Sequence, residues 1–172
     1  MSNGVYTAPY PANEPVKGYA PGSEEKESLL AKYKEMYNQE PIEIPMYIGS
    51  EEVRTNDKRK MSPPHDHSHN LGSYNFGTKE HVTKAIDAAL AAKSEWANMP
   101  WEHRASIFLK AADLLEGPFR DELNAATMLA QSKNAMQAEI DAACELIDFF
   151  RFNVAFMQQV YEDQPESNPG MW

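Results

Sequence analysis

Residues 137–157 read QAEIDAACELIDFFRFNVAFM, and this stretch decides the fold. Apolar side chains recur in it every three or four positions, which predicts one stripe of an α-helix: Ile140, Ala143, Ile147, Phe150, Val154 and Met157. Leucine and phenylalanine at further positions make this helix apolar on nearly every side, so we expect it to be buried. Charged residues interrupt the run and exclude a membrane span. The remainder of the chain is acidic and polar, and we expect it to cover such a helix only in part.

The bulk properties exclude several classes of protein. The chain has 172 residues, a net charge of −10 and an isoelectric point near 4.9. Its length is typical of one domain, and its acidity argues against nucleic-acid binding, which needs clustered lysine and arginine. A single cysteine excludes an internal disulfide framework. The start of the chain resembles neither a secretory signal nor a mitochondrial transit peptide, so we expect a cytoplasmic protein that does not bind membranes.

The N-terminal part is predicted to contain the only β structure. A hairpin is expected over residues 42–55 with its turn at Gly49-Ser50, then a loop over 56–70 and a third strand over 71–76. Composition divides the whole chain into five segments: an extended arm (1–22), a helix (23–40), a small β element (41–77), a helical layer (78–163) and a short linker (164–172).

The helical layer is predicted to hold three helices before the long apolar one. The first is expected to begin at Thr78, which can cap a helix, and the second at Pro100. The third is expected after Gly117-Pro118, because proline is favoured in a first helical turn. Their inward-facing residues are expected to be Val82, Ile86, Ala89 and Trp96, then Ala105, Phe108, Ala112 and Leu115, then Phe119, Leu123, Ala126 and either Leu129 or Ala130. The predicted fold class is mainly α with a small N-terminal β-hairpin or three-strand element.

Two features invite a chemical interpretation that their surroundings do not favour. The run His65-Asp66-His67-Ser68-His69 could bind a metal ion, but no second ligand group lies at metal-site spacing, so a solvated loop is the favoured interpretation. Cys144 lies on an acidic, apolar helix, whereas a reactive thiolate needs an electropositive and partly open setting. We therefore predict a small buried side chain at Cys144 and no metal site.

Glu145 is the best candidate for a functional side chain. Asp141, Glu145 and Asp148 are spaced four and three apart, which places their carboxylates on one stripe of the helix. A solvated face explains this stripe as well as an internal cavity does, and the spacing alone leaves the two alternatives open. The chain also lacks a G-x-G-x-x-G turn, a phosphate loop, a G-x-S-x-G elbow and an H-E-x-x-H motif. The residues thus predict a helical module without a complete active site.

Several motifs resemble the aldehyde dehydrogenase superfamily, and within it the Δ1-pyrroline-5-carboxylate dehydrogenase family. A hairpin, a third strand and a helix that reads AIDAALAAKSEW (85–96) follow the order of the superfamily. The more specific stretches are NEPV (13–16), FLKAADLLEGP (108–118) and QAEIDAACELIDFFRFN (137–153). The resemblance covers residues 13–165.

The resemblance implies the N-terminal segment of an α/β aldehyde dehydrogenase fold, followed by a missing cofactor-binding and catalytic part. The parent enzyme of this family oxidises L-glutamate γ-semialdehyde to glutamate in proline catabolism, with NAD as hydride acceptor. It uses a catalytic cysteine and a glutamate-activated water. These groups lie downstream of the matched region, so the chain alone is expected to be inactive, with no catalytic, cofactor-binding or metal-binding residue. Its expected partners are the remainder of the parent enzyme and further copies of itself.

The resemblance also bears on individual residues. It implies that Glu145 matches a glutamate on the helix that lines the aldehyde entrance, which favours a substrate-tunnel role. Cys144 does not match the catalytic cysteine. Ser132-Lys133 stands where aldehyde dehydrogenases commonly have Gly-Lys, which makes a tight turn there less expected. The alternative function is a free-standing helical interaction module that would grip a partner with Phe149, Phe152 and Phe156.

Overall fold

The structure, a computed structural model, describes residues 4–171. Six α-helices and five short strands follow one another along the chain, with one π-helical segment at Glu139–Cys144. The helices are α1 (Glu24–Asn38), α2 (Lys79–Asn98), α3 (Trp101–Glu116), α4 (Arg120–Gln131), α5 (Ala135–Ala138) and α6 (Glu145–Glu162). The strands are β1 (Ile42–Ile44), β2 (Met46–Ile48), β3 (Glu51–Val53), β4 (Lys58–Met61) and β5 (Gly72–Asn75). The predicted fold class is confirmed.

The β element forms two small sheets. Strands β2 and β3 make the antiparallel hairpin predicted at Gly49-Ser50. Strand β1 does not join this hairpin as predicted; it pairs in parallel with β5, because Pro45 between β1 and β2 has no N–H to continue a ladder. Part of the predicted 56–70 loop is also strand, since β4 pairs antiparallel with β5.

One glycine permits the three-stranded sheet. Gly72 begins β5 at φ +140°, and a Cβ atom there would lie 2.0 Å from the Ile42 carbonyl oxygen. The left-handed region of backbone space excludes most other residues, and the close approach leaves no room for a side chain. The parallel pairing of β1 and β5 therefore depends on glycine at this position.

The helices pack in two pairs. Helix α1 packs on α4, with Leu29 and Ala125 buried between them, while α3 packs on α6 around Ala112 and Ile147. The expected inward faces of α3 and α4 are confirmed in part. Ala105, Ala112 and Leu129 are buried, whereas Phe108 of α3 and Phe119, the residue before α4, are exposed. Helix α2 buries no residue: Val82, Ile86 and Leu90 are 59%, 54% and 62% exposed. The periodicity of α2 identifies an apolar face, but apart from the contact of Trp96 with Phe108, residues 4–171 leave most of this face exposed.

The long apolar helix is interrupted by the π-helical segment. The amide of Glu145 donates to the carbonyl of Ile140, which is the i→i+5 pattern of a π-helix. Buried positions accordingly come in adjacent pairs five apart, Ala138-Glu139 and Ala143-Cys144. A regular 3.6-residue period places Ile140 inside, whereas in the structure Ile140 is exposed and Glu139 takes the inner position. Phe149 and Phe156, at 60% and 51% exposure, also face outward.

Candidate functional site

The N-terminal arm lies along α6 and runs antiparallel to it. The Ala8 amide donates to the Gln158 side chain at 2.6 Å, near the C-terminal end of α6. Further along the arm, the Lys17 amide donates to Glu139 at 2.8 Å, just before α6 begins. Residues 4–20 contain no helix or strand, so the extended arm is held by side chains of the helix instead of by a sheet.

A buried ion-pair network fixes the arm to the helical layer. The Arg120 side chain, 2% exposed, donates to Glu14 at 2.5 Å and forms an ion pair with Glu139, which is fully buried. Glu14 also pairs with Arg151 at 2.6 Å. Buried charges are tolerated when they are paired and hydrogen-bonded, and Tyr19 completes the network by donating to Glu139 at 2.7 Å.

The network sets the protonation of its members. Burial raises the pKa of Glu139, but the hydrogen bonds from Arg120, from the Lys17 amide and from Tyr19 outweigh it and lower the pKa to about 2. Burial and the neighbouring Glu139 carboxylate raise the pKa of the Tyr19 hydroxyl. Glu139 is therefore an anion in the folded protein, and it accepts a further hydrogen bond from Asn124 at 2.8 Å.

Sequence reasoning missed this network. In the sequence, Glu139 is one of the charges that interrupt the apolar helix, and no local pattern singles out Arg120. One signal is present in the sequence. Ala138 and Ala143 are five positions apart, as are Glu139 and Cys144, and this spacing fits a five-residue period better than a 3.6-residue one. No such signal marks the ion pair of Arg120 with Glu14, because these two residues are 106 positions apart in the sequence.

Cys144 lies within the network and is buried, as predicted. Its Sγ atom is 3.5 Å from Arg120 Nη2 and 3.7 Å from Glu139 Oε1. Burial, together with the Glu139 carboxylate, raises the pKa of the thiol to about 11. A thiol with a raised pKa and no access to solvent is a poor nucleophile.

The three carboxylates of the predicted stripe have different surroundings. Asp141 pairs with Lys133 at 2.7 Å. Asp148 accepts two hydrogen bonds from the arm, from Asn13 Nδ2 and from the Glu14 amide, each at 2.7 Å. Glu145 is exposed and has no hydrogen-bond or ion-pair partner within residues 4–171. Glu145 is thus the carboxylate of this stripe that remains available to a ligand.

Glu145 and Asp148 line an open pocket on the outer side of α6. The pocket has a volume of about 250 Å³ and a mainly apolar wall, and its remaining lining residues are Phe149, Phe152, Asn153 and Phe156. A single unpaired carboxylate at the rim of an aromatic wall suits a ligand that has an apolar or neutral body and one cationic group. Glu145 and the phenylalanines of the same helix therefore line one pocket.

The histidine run forms a compact turn that packs on two helices. Asp66 accepts hydrogen bonds from Ser68 and from Tyr37 of α1, and the ring of His69 stacks on Tyr37 with 3.9 Å between centroids. His65 bonds the side chain of Ser132 through its backbone amide at 3.0 Å and through Nδ1 at 2.7 Å. Within the described part of the chain, no three histidine, cysteine, aspartate or glutamate side chains are grouped to hold a metal ion.

Ser132 adopts the left-handed conformation that ends α4, with φ 57° and ψ 29°. Glycine is the usual residue at such a helix end, and its replacement made the tight turn less expected. The turn is nevertheless formed. The two contacts with His65 give the serine hydroxyl a role that glycine could not fill.

Comparison with known proteins identifies close relatives. Residues 52–171 match the aldehyde dehydrogenase family. The Δ1-pyrroline-5-carboxylate dehydrogenase of Agaricus bisporus is 51% identical over 169 residues, which are 98% of this chain and 31% of the relative. The human mitochondrial enzyme of the same name is 46% identical over 158 residues, or 92% of this chain and 28% of the relative. The chain thus spans under a third of the length of these curated relatives.

Solved structures show the same likeness. The Mycobacterium tuberculosis Δ-pyrroline-5-carboxylate dehydrogenase bound with NAD is 46% identical, with a TM-score of 0.94 over 99% of this chain and 32% of that one. A Thermus thermophilus 1-pyrroline-5-carboxylate dehydrogenase variant is 26% identical, with a TM-score of 0.86 over 96% of this chain. The arrangement of helices and strands described above is therefore that of a segment of these enzymes.

Proposed function

Because the chain belongs to the aldehyde dehydrogenase family, we propose that it is the N-terminal segment of an NAD-dependent dehydrogenase that oxidises L-glutamate γ-semialdehyde to glutamate. The observation that carries this proposal is the agreement in fold, a TM-score of 0.94 at 46% identity, with a dehydrogenase of that specificity. The curated relatives carry the same name at 46–51% identity. The segment contributes a helical layer, and the parent protein supplies the rest.

The described residues do not fit a nicotinamide dinucleotide. Such a cofactor needs a glycine-rich turn between a strand and a helix, where backbone amides approach the pyrophosphate. Among residues 4–171, the glycines with positive φ lie before α1, in the β2–β3 turn, at the start of β5 and near the C-terminus. Gly22, before α1, follows the arm and not a strand. We assign NAD binding, hydride transfer and the nucleophile to the remainder of the parent protein.

The role of this chain in the reaction is to bind and orient the substrate through Glu145. The semialdehyde carries an ammonium group, and Glu145 is the unpaired carboxylate of the aromatic pocket. A charge-assisted contact of this kind contributes about 1.5–3 kcal/mol. The phenylalanine wall offers an apolar surface to the carbon chain of the substrate.

Kinetics of the full-length protein that contains this chain test the role of Glu145. Glu145→Ala is expected to lower kcat/KM for glutamate semialdehyde roughly ten- to a hundred-fold, while the melting temperature stays close to that of the wild type because the side chain is exposed. Asp141→Ala removes a carboxylate of the same stripe outside the pocket and serves as the matched control. An unchanged kcat/KM for Glu145→Ala would show that Glu145 is a solvated surface residue that does not bind the substrate.

A binding experiment tests the assignment of the cofactor site. The isolated chain is expected to bind no NAD and to oxidise no aldehyde, whereas the full-length protein should form NADH from NAD and the semialdehyde. Isothermal titration calorimetry with NAD measures the first expectation. Saturable binding at micromolar concentrations by the isolated chain would overturn the assignment.

The alternative of a free-standing interaction module fits the relatives poorly, because the matched region is under a third of each dehydrogenase. Within the described residues, none of the helices has the length and hydropathy needed to cross a membrane. The mammalian relatives are named as mitochondrial, whereas a cytoplasmic location and a homo-oligomeric parent enzyme remain proposals. Cell fractionation and sedimentation of the full-length protein test these two.

A further inference from the structure

Asp148 lines the same pocket as Glu145, and both of its carboxylate oxygens accept hydrogen bonds from the arm. Its Oδ1 atom accepts from the Glu14 amide and its Oδ2 atom from Asn13 Nδ2, both at 2.7 Å. These two contacts fix the direction in which the carboxylate points. Of the two acidic groups at the pocket, only Glu145 is without a hydrogen-bond or ion-pair partner within residues 4–171.

The arm that holds Asp148 is itself anchored in the interior. Glu14 is 6% exposed and forms ion pairs with Arg120 and Arg151 at 2.5 and 2.6 Å. Arg120 belongs to the buried network around Glu139, and Arg151 also pairs with Glu116 of α3 at 2.6 Å. The donors that engage Asp148 are thus fixed relative to α3, α4 and α6 at once.

From this arrangement we propose that Asp148 is a positioning residue for substrate binding, held by Asn13 and the Glu14 amide so that Glu145 alone meets the cationic group of the substrate. The proposal rests on the function proposed above. Asp148 and Glu145 lie three residues apart on one face of the helix, one turn beyond the π-helical segment. Fixing Asp148 fixes the rotation of the turn that carries Glu145.

One consequence follows when the arm contacts are lost. The first turn of α6 gains freedom where it leaves the irregular π geometry, so Glu145 spends less time in its binding position. This change weakens binding of the substrate and does not act on the hydride or on the nucleophile. The expected change is therefore in KM, with kcat nearly constant.

A double-mutant cycle in the full-length protein tests the proposal. In the wild-type background, Asp148→Ala is expected to raise KM for glutamate semialdehyde about tenfold and Asn13→Ala about threefold, with kcat changed less than twofold. Asp148→Asn should restore part of the loss, because its amide oxygen still accepts from the Glu14 amide. In the Glu145→Ala background, neither Asp148→Ala nor Asn13→Ala should raise KM further.

Two controls separate positioning from a general loss of the arm. Gln158→Ala removes a tether of the arm at the far end of α6, and Asp141→Ala removes an equal charge from the same helix; both should leave KM unchanged. Melting temperatures accompany each variant. If Asp148→Ala does not fold, Asn13→Ala decides the question, since the Glu14 contact stays in place.

Additive effects of Asp148→Ala and Glu145→Ala would overturn the proposal, because Asp148 would then act independently of Glu145. An unchanged KM for both Asp148→Ala and Asn13→Ala would overturn it as well. These outcomes leave the proposed function intact. A Glu145→Ala variant with unchanged kcat/KM would instead remove the role of Glu145, and the positioning role of Asp148 with it.

Discussion

Glu139 couples the stability of this fold to pH. A carboxyl group whose pKa falls on folding stabilises the folded state above its unfolded pKa, here near 4.5, and this contribution is lost as the pH falls toward about 2. Glu139→Gln breaks a buried ion pair and is expected to lower the free energy of unfolding at neutral pH by about 3–5 kcal/mol. The difference from the wild type should shrink between pH 4.5 and 2.

Urea titrations at a series of pH values measure this difference. Glu145→Gln is the matched control, since it makes the same chemical change at an exposed and unpaired position of the same helix, and it should leave the stability unchanged. A difference between wild type and Glu139→Gln that persists undiminished into acid would contradict the assignment of an anionic Glu139.

Single residues were predictable from sequence where the local pattern decides their surroundings. Cys144 was predicted to be buried because its neighbours are apolar and acidic. The ion pairs of Arg120 were not predictable, because its partners Glu139 and Glu14 lie 19 and 106 positions away, on other elements of the fold, and no local pattern records which of these charges meet. The role of Glu145 could only be suggested, since a stripe of carboxylates on a helix is equally compatible with solvent and with a pocket.

Among the secondary-structure elements, β5 depends most on one residue. Gly72→Ala is expected to destabilise the fold by at least about 2 kcal/mol, because the added Cβ meets the Ile42 carbonyl at 2.0 Å and the backbone there has a positive φ. Gly18→Ala is the matched control, since a Cβ at Gly18 meets nothing within 4 Å. Thermal unfolding of both variants measures the effect, and equal melting temperatures would contradict it.

The elements that sequence reasoning missed share one cause. Strand β4 is short and basic, and it becomes a strand through its ladder with β5 and through the 2.7 Å ion pair of Lys58 with Glu43. The π-helical segment exists because the ion pair with Arg120 places Glu139 in the interior, which leaves Ile140 exposed. In both cases a tertiary partner outweighs the local propensity. The long helices, whose period repeats over many residues, were predictable for the opposite reason.

At the scale of the whole molecule, the uncovered face of α2 dominates the expected behaviour of the isolated chain. Burying each of Val82, Ile86 and Leu90 contributes about 1.5–3 kcal/mol, and exposed apolar patches of this kind promote association. The isolated chain is therefore expected to self-associate, and analytical ultracentrifugation over a range of concentrations measures it.

A pair of variants tests which surface is responsible. Leu90→Glu should weaken self-association, while Ala91→Glu places the same charge on the next residue, away from the apolar face, and should have little effect. A strictly monomeric chain at high concentration, or equal effects of the two variants, would show that α2 does not mediate self-association.

The arm along α6 has a consequence for how the protein is made. Glu14 meets Arg151 across 137 positions of sequence, and ribosomes add about 5–20 residues per second. About 7–27 seconds thus separate the synthesis of Glu14 from that of Arg151. The arm therefore emerges before the helix that binds it, and in that interval chaperones and proteases meet it as an unfolded peptide.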